Sequence, residues 1–166
     1  MKYLIIIFLF PILLNTLEKT SNEELVLRIA INNSLNPSPQ VIFAIAHAAK
    51  KYNINATELA AIAIIESNMG KYTKTRINSN KTKDIGLFQI NSINFNKCKE
   101  YNIYNFEGNA FCAAKILSQI KTHRSDYIGV YHSKTIKKKQ RYLQKIAKVF
   151  KMNTDKKYIR QIAKEN

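Results

Sequence analysis

A stretch that is apolar on every side is the feature that most constrains the fold of this chain. Residues 59–65 consist only of leucine, alanine and isoleucine, whereas a surface helix carries a polar face as well as an apolar one. Asn55 and Glu58, three residues apart just before this stretch, have the spacing of a capping box, which begins helices. We therefore predict a buried central helix that other helices surround.

Glu66 follows the apolar stretch directly. Burial disfavours the ionised form of a carboxyl group and raises its pKa. A carboxyl group that stays protonated near neutral pH can act as a general acid, and the cleavage of a glycosidic bond needs such a proton donor. Taken alone, this helix end favours a half-exposed glutamate without a catalytic role, and the motifs that follow reverse that preference.

A second unusual string covers residues 84–91, directly after a polar stretch. Gly86 permits a close approach of the backbone to a ligand. Gln89 and Asn91 offer amide donors and acceptors that suit sugar hydroxyl and N-acetyl groups. The alternative is a short half-buried strand or turn, and the Glu-Ser pair at the end of the apolar stretch favours the binding hypothesis.

Helical patterns dominate the rest of the chain. Ser38 and Pro39 fit the N-cap and first position of a helix. Residues 70–83 are polar and lack periodicity, which predicts a loop. Further helical patterns cover residues 23–31, 92–99, 107–121, 125–132 and 135–150. There is no internal repeat and no strand-rich region, so we predict an all-α (mainly α) fold.

The N-terminus has the layout of an export signal. Lys2 precedes an uncharged run over residues 3–14, which matches a secretory signal peptide and is short for a membrane span of about 20 residues. No small-residue cleavage site follows, so cleavage and retention as an anchor both stay open. We predict an exported, periplasmic or wall-associated protein. We assign residues 1–20 to a signal peptide or N-terminal anchor, 21–37 to a spacer, 38–150 to the domain and 151–166 to a basic tail.

The net charge of +16 indicates either a polyanionic partner or a general drift of the composition towards lysine. Nucleic acid, anionic lipid and an acidic cell wall all fit this charge. The lysine-rich stretch 134–164 lacks a nucleic-acid-binding motif, and the export signal argues against nucleic acid. We therefore expect no nucleic-acid partner, and membrane contact only through an uncleaved N-terminal segment.

Two cysteines, Cys98 and Cys112, lie in the predicted domain. In an exported protein, such a pair at short separation predicts a disulfide. The alternative is two buried free thiols. Two cysteines without clustered histidines make a poor zinc site, so we predict no metal.

Three motifs together resemble a known superfamily. Residues 64–67 (IIES) followed by 86–91 (GLFQIN) resemble the goose-type and soluble lytic transglycosylases. The cysteine pair and residues 129–133 (GVYHS) resemble the subgroup that serves secretion, conjugation and pilus machines. This resemblance implies a lysozyme-like single domain with a glycan-binding cleft, peptidoglycan glycan strands as substrate and no cofactor. It further implies a secretion or conjugation complex as a candidate partner.

The resemblance also assigns residue roles. It implies Glu66 as the catalytic acid in cleavage of the β-1,4 bond between N-acetylmuramic acid and N-acetylglucosamine, with a 1,6-anhydro product. His132 stands where many relatives have asparagine, and we interpret it as a local variant. The residues implied to contact the glycan are Ser67, Gly86, Leu87, Gln89, Asn91 and Tyr131.

Asp84 leaves the reaction outcome open. The segment that begins at Asp84 also resembles the one that carries the second carboxylate of animal-type lysozymes. Asp84 either stabilises the oxocarbenium ion or caps a turn, as aspartate readily does. The alternatives are therefore a hydrolytic muramidase that uses Glu66 with Asp84, and a non-catalytic wall-binding assembly protein.

Overall fold

The structure, a computed structural model, describes residues 21–150. The predicted leader (1–20) and basic tail (151–166) lie outside the described residues. Residues 21–150 form a mostly helical domain with one small sheet, which confirms the mainly α prediction. The elements in chain order are α1 (Asn22–Asn32), α2 (Pro39–Tyr52), α3 (Ala56–Ser67), β1 (Arg76–Ile77), β2 (Lys83–Ile85), β3 (Ile90–Asn91), a 3₁₀ helix (Ser92–Cys98), α4 (Phe106–Lys121), α5 (Tyr127–His132) and α6 (Ile136–Val149).

Helix α3 is the buried centre of the domain, as its apolar composition predicts. Its residues Leu59 and Ile62 are fully buried, and helices α1, α2 and α6 pack around it. The side chain of Asn55 accepts hydrogen bonds from two backbone N–H groups of the first turn, at 2.9 and 3.4 Å. This N-cap satisfies donors that have no partner inside the helix. Glu66 lies in the last turn of α3, which ends at Ser67.

Helix α1 packs against the domain, although its segment was predicted as a spacer around a short helix. It contacts α2 and α3, because its apolar residues recur at i, i+3 and i+4. The side chain of Asn33 donates a hydrogen bond to the carbonyl oxygen of Val149 at 2.9 Å, which ties the end of α1 to the end of α6. The buried face of α1 consists of Val26, Ile29 and Ala30.

The sheet is antiparallel, with its strands in the order β1-β2-β3. The loop predicted over residues 70–83 contains β1 and the first residue of β2. Because β1 has two residues and both are exposed, no alternation of apolar and polar residues marks it. The register places Arg76 opposite Asp84 and Asp84 opposite Asn91. The sheet is therefore joined by polar pairs across its strands.

Cys98 and Cys112 form a disulfide, as predicted. It joins the end of the 3₁₀ helix to α4, and both cysteines are buried. Helix α4 in turn packs extensively on α2, so the bond ties the sheet region to the helical core. Separately, none of the helices within residues 21–150 combines the length and apolar composition needed to cross a bilayer.

Replacing Cys98 and Cys112 together with alanine is expected to lower the free energy of unfolding by about 3 kcal/mol, because the open chain gains loop entropy on unfolding. The two cysteines are 14 positions apart. Urea unfolding of the oxidised protein and of the double variant measures the difference. The reduced wild-type protein serves as a control and should resemble the variant. Equal stability of all three forms would contradict a stabilising disulfide.

Candidate active site

A cleft of about 1030 Å³ is lined by the sheet, the 3₁₀ helix and parts of helices α3 to α6. Two acidic and five basic side chains line it. Five residues of the predicted site meet there although they come from four different elements. They are Glu66, Asp84, Gln89, Asn91 and Tyr131.

Glu66 is mostly buried and opens onto the cleft, with 11% of its side chain exposed. The Nδ1 atom of His132 lies 3.8 Å from its Oε1 atom. These groups form a charged pair only when the imidazole is protonated. The ring of His132 stacks on Tyr142 with 4.4 Å between the ring centroids. The predicted acid therefore lies between the apolar core and the cleft, where it can exchange a proton with a bound glycan.

Tyr142 is part of this site, and the sequence analysis missed it. It lies on α6 in line with Ile146 and Val149, so its position predicts only a core residue. Its hydroxyl approaches Glu66 without a well-formed hydrogen bond, and it has no other partner within residues 21–150. Burial, followed by the negative charge of Glu66, raises the pKa of Tyr142. The hydroxyl thus stays protonated and can donate to Glu66 when that carboxyl group is ionised.

The turn at residues 86–89 is held by side chains from other elements. The Ser67 hydroxyl donates to the carbonyl oxygen of Leu87 at 2.7 Å. The Tyr131 hydroxyl donates to the carbonyl oxygen of Phe88 at 3.0 Å. Helices α3 and α5 therefore fix the backbone of this turn beside the catalytic candidate.

Gln89 ends that turn in a left-handed backbone conformation, with a φ of 46°. This conformation is uncommon for a residue with a side chain, and it persists where the surrounding contacts impose it. The side-chain amide of Gln89 donates to the carbonyl oxygen of Gly86 at 2.9 Å. The turn thereby presents Gln89 to the cleft.

Asn109 anchors the turn from below, and nothing in its local sequence predicts this role. It is fully buried, and its side-chain oxygen accepts from the backbone N–H of Phe88 at 2.8 Å. Its amide nitrogen donates to the carbonyl oxygens of Ile85 at 3.0 Å and Ile103 at 2.7 Å. A Cβ atom on Gly86 would lie 2.3 Å from this nitrogen. Gly86 is therefore required for packing against Asn109.

Two predicted contacts with the glycan need correction. Ser67 is 1% exposed and Leu87 is fully buried, and neither lines the cleft. The Ser67 hydroxyl accepts from the backbone N–H of Gly70 at 3.0 Å as well as donating to Leu87. Ser67 and Leu87 therefore shape the turn and are too buried to reach a sugar in the cleft. Gly86 is half-buried, and its contact with the glycan stays a prediction.

Asp84 is bound on both carboxylate oxygens by its neighbours. Its Oδ2 atom accepts from the Arg76 guanidinium at 2.9 Å and from the Asn78 amide at 3.0 Å. Its Oδ1 atom accepts from the Asn91 amide at 2.7 Å. Burial alone would raise the pKa of Asp84, but the hydrogen bonds from Arg76, Asn78 and Asn91 outweigh it and hold the pKa below its usual value. Asp84 thus joins the three strands as an ionised carboxylate.

Asp84→Asn is expected to lower the free energy of unfolding at pH 7 by about 2 kcal/mol, because hydrogen bonds to a charged group are lost. The folded pKa of Asp84 is depressed, so its contribution is complete above the unfolded pKa of about 4 and is lost as the pH falls towards the folded pKa. Urea unfolding between pH 3 and 7 should therefore show the two proteins converging at low pH. A difference that is the same at pH 3 and pH 7 would contradict this.

Glu66, Gln89 of the turn and Tyr131 thus lie in one cleft. The chain was compared with known proteins. The model of the family described as "Transglycosylase SLT domain" matches residues 43–148, more than half of the chain. The chain belongs to this family. Comparison with curated proteins and with solved structures gave no match.

Membership in the SLT family places this domain among the lytic transglycosylases. It also identifies peptidoglycan as the polymer that the domain binds. The match begins within α2 and ends within α6, so it covers both Glu66 and Tyr142 and leaves out α1. No group of three or more His, Cys, Asp or Glu side chains within residues 21–150 is placed to hold a metal ion.

Proposed function

We propose that the protein cleaves the β-1,4 bond between N-acetylmuramic acid and N-acetylglucosamine and forms a 1,6-anhydro end. The different environments of the two cleft carboxyl groups carry this proposal. Asp84 is held by a guanidinium and two amides, whereas the polar groups beside Glu66 are the His132 imidazole and the Tyr131 and Tyr142 hydroxyls. Glu66 is therefore the carboxyl group that can give and take a proton.

The proposed reaction uses Glu66 twice. Protonated Glu66 donates its proton to the glycosidic oxygen as the bond from the anomeric carbon to that oxygen breaks. The N-acetyl group of the substrate stabilises the positive charge that develops at the anomeric carbon. Glu66, now ionised and close to the Tyr142 hydroxyl, takes the proton of the C6 hydroxyl, and the C6 oxygen bonds to the anomeric carbon. The proton that Glu66 takes from the C6 hydroxyl replaces the one that it donated, and no water is consumed.

The geometry of Asp84 favours this reaction over hydrolysis by a carboxylate pair. A second carboxylate that acts as nucleophile or base needs an oxygen free to reach the anomeric carbon or a water molecule. Both oxygens of Asp84 already accept hydrogen bonds, one of them from a charged guanidinium. Asp84 would have to give up these bonds, and the sheet would lose its polar pairing.

Mass spectrometry of the fragments released from purified peptidoglycan tests the proposal. Wild-type protein should release fragments with 1,6-anhydro ends, and Glu66→Gln should release none above background. Fragments with reducing ends would overturn the proposal and indicate a hydrolase. Binding to the wall without release by the wild-type protein would overturn it in favour of a wall-binding assembly protein.

We further propose that the protein is exported and opens the wall locally for a secretion or conjugation apparatus. The disulfide supports an oxidising compartment, where such bonds persist. The resemblance of residues 129–133 to the secretion-associated subgroup supports a role with a secretion or conjugation apparatus. Fractionation of cells, followed by cross-linking of the wall-bound protein, would test this. A cytoplasmic location would contradict export. Cross-linked protein that carries no component of a secretion or conjugation apparatus would contradict a role with such an apparatus.

A further inference from the structure

The basic side chains of the cleft are more numerous than its own acidic groups require. Of the five that line it, Arg76 pairs with Asp84 at 2.9 Å. Arg124 pairs with Asp126 at 2.7 Å. Lys97, Lys134 and Lys138 remain, and they are exposed and form no salt bridge with a described residue.

These three lysines come from two separate parts of the chain. Lys97 lies on the 3₁₀ helix, and Lys134 and Lys138 lie just before and on the first turns of α6. No Asp or Glu occurs between Asp126 and Asp155, so no nearby acidic residue along the chain offsets Lys134 and Lys138. The cleft therefore has an excess of positive charge beside the proposed catalytic group.

An unsubstituted glycan does not account for this charge, because its hydroxyl and N-acetyl groups are neutral. The anionic groups of a peptidoglycan strand are the carboxylates of the peptides attached to its muramic acid residues. Fixed positive charges that line a cleft raise the local concentration of an anionic ligand and favour its binding. A strand that bound in the cleft would bring the carboxylates that branch from it towards the lysines that line the cleft.

We propose that Lys97, Lys134 and Lys138 bind the carboxylates of stem peptides, so that the enzyme favours strands that still carry their peptides. This inference rests on the proposed function for its substrate. It adds a preference that the cleavage chemistry does not require. Exposed ion pairs contribute about 0.2–1 kcal/mol each, so three together correspond to about a tenfold change in affinity at low ionic strength.

The test measures binding, so that it does not depend on cleavage. Each variant is made in the Glu66→Gln background and sedimented with purified sacculi that carry no other wall polymers. The triple variant Lys97→Gln, Lys134→Gln and Lys138→Gln should bind about tenfold more weakly than its parent. A second triple variant at exposed lysines of α6 outside the cleft, Lys137→Gln, Lys145→Gln and Lys148→Gln, removes the same charge and should bind within about twofold of the parent.

Sacculi whose peptide carboxylates have been converted to amides with a carbodiimide and ammonia keep their strands and peptides but lose the negative charge. On this amidated material, the parent and the cleft variant should bind equally. Equal weakening by both triple variants would overturn the proposal, because it would indicate only a general effect of charge. A tenfold loss that persists on amidated sacculi would also overturn it and would place the lysines against neutral groups of the strand. Neither outcome depends on the anhydro product, which tests the proposed function separately.

Discussion

Glu66→Gln is expected to lower the rate of fragment release from peptidoglycan by about a thousandfold while leaving wall binding intact. Positioned acids and bases contribute 10²- to 10⁴-fold to such reactions, and glutamine cannot supply the proton. The change keeps the size of a side chain that is 11% exposed. Because the size and polarity of the side chain are kept, the folded protein should lose little stability.

Fragment release at initial rate, together with sedimentation of the protein with sacculi, measures the two effects separately. Glu107→Gln is a matched control, because Glu107 is exposed in the first turn of α4 and is not among the residues that line the cleft. It should keep a rate close to that of the wild type. A Glu66→Gln protein that retains more than a tenth of the wild-type rate would remove Glu66 from the role of catalytic acid.

Asn109→Ala is expected to lower the free energy of unfolding by about 4 kcal/mol. It would leave the N–H of Phe88 and the carbonyl oxygens of Ile85 and Ile103 without their partner. Each unsatisfied buried group costs about 1–3 kcal/mol, and water that enters the cavity recovers part of that cost. Because the affected backbone is the turn that presents Gln89, activity should fall even under conditions where the variant remains folded.

Urea unfolding measures the stability of Asn109→Ala, and fragment release below the unfolding transition measures its activity. Asn96→Ala is the matched control, because Asn96 is an exposed asparagine on the 3₁₀ helix outside the cleft lining. Its effect should stay within about 0.5 kcal/mol, as for most surface substitutions. A loss below 1 kcal/mol for Asn109→Ala would mean that the turn is held mainly by Ser67 and Tyr131.

The helices could be predicted from the sequence because their signals are local. Helix α3 combines a cap residue with an apolar run, and α2 begins at Pro39 after Ser38, as expected. The sheet could not be predicted in this way. Its strands have two or three residues, and their pairing depends on Asp84 meeting Arg76 and Asn91 from other strands.

The site could be predicted only in part, because only some of its residues carry a signal in the local sequence. Glu66, Gln89 and Tyr131 lie in motifs, and the structure places all three in one cleft. Tyr142 and Asn109 belong to helical patterns in which a tyrosine or an asparagine has no distinctive signal. Ser67 belongs to a motif as well, but burial decides whether such a residue touches substrate or backbone, and burial depends on the packing of distant segments.

The packing of α1 limits where an export signal, as predicted for residues 1–20, could be cut. Val26, Ile29 and Ala30 of α1 lie against the domain, and α1 contacts the helix that carries Glu66. A protease that cleaved within α1 would leave an apolar groove open to water and would withdraw support from α3. If the predicted signal is removed, an active enzyme should therefore begin at or before Ser21, whose side chain caps α1. Removal of that signal and the integrity of the helix that carries Glu66 would then be linked through one short element.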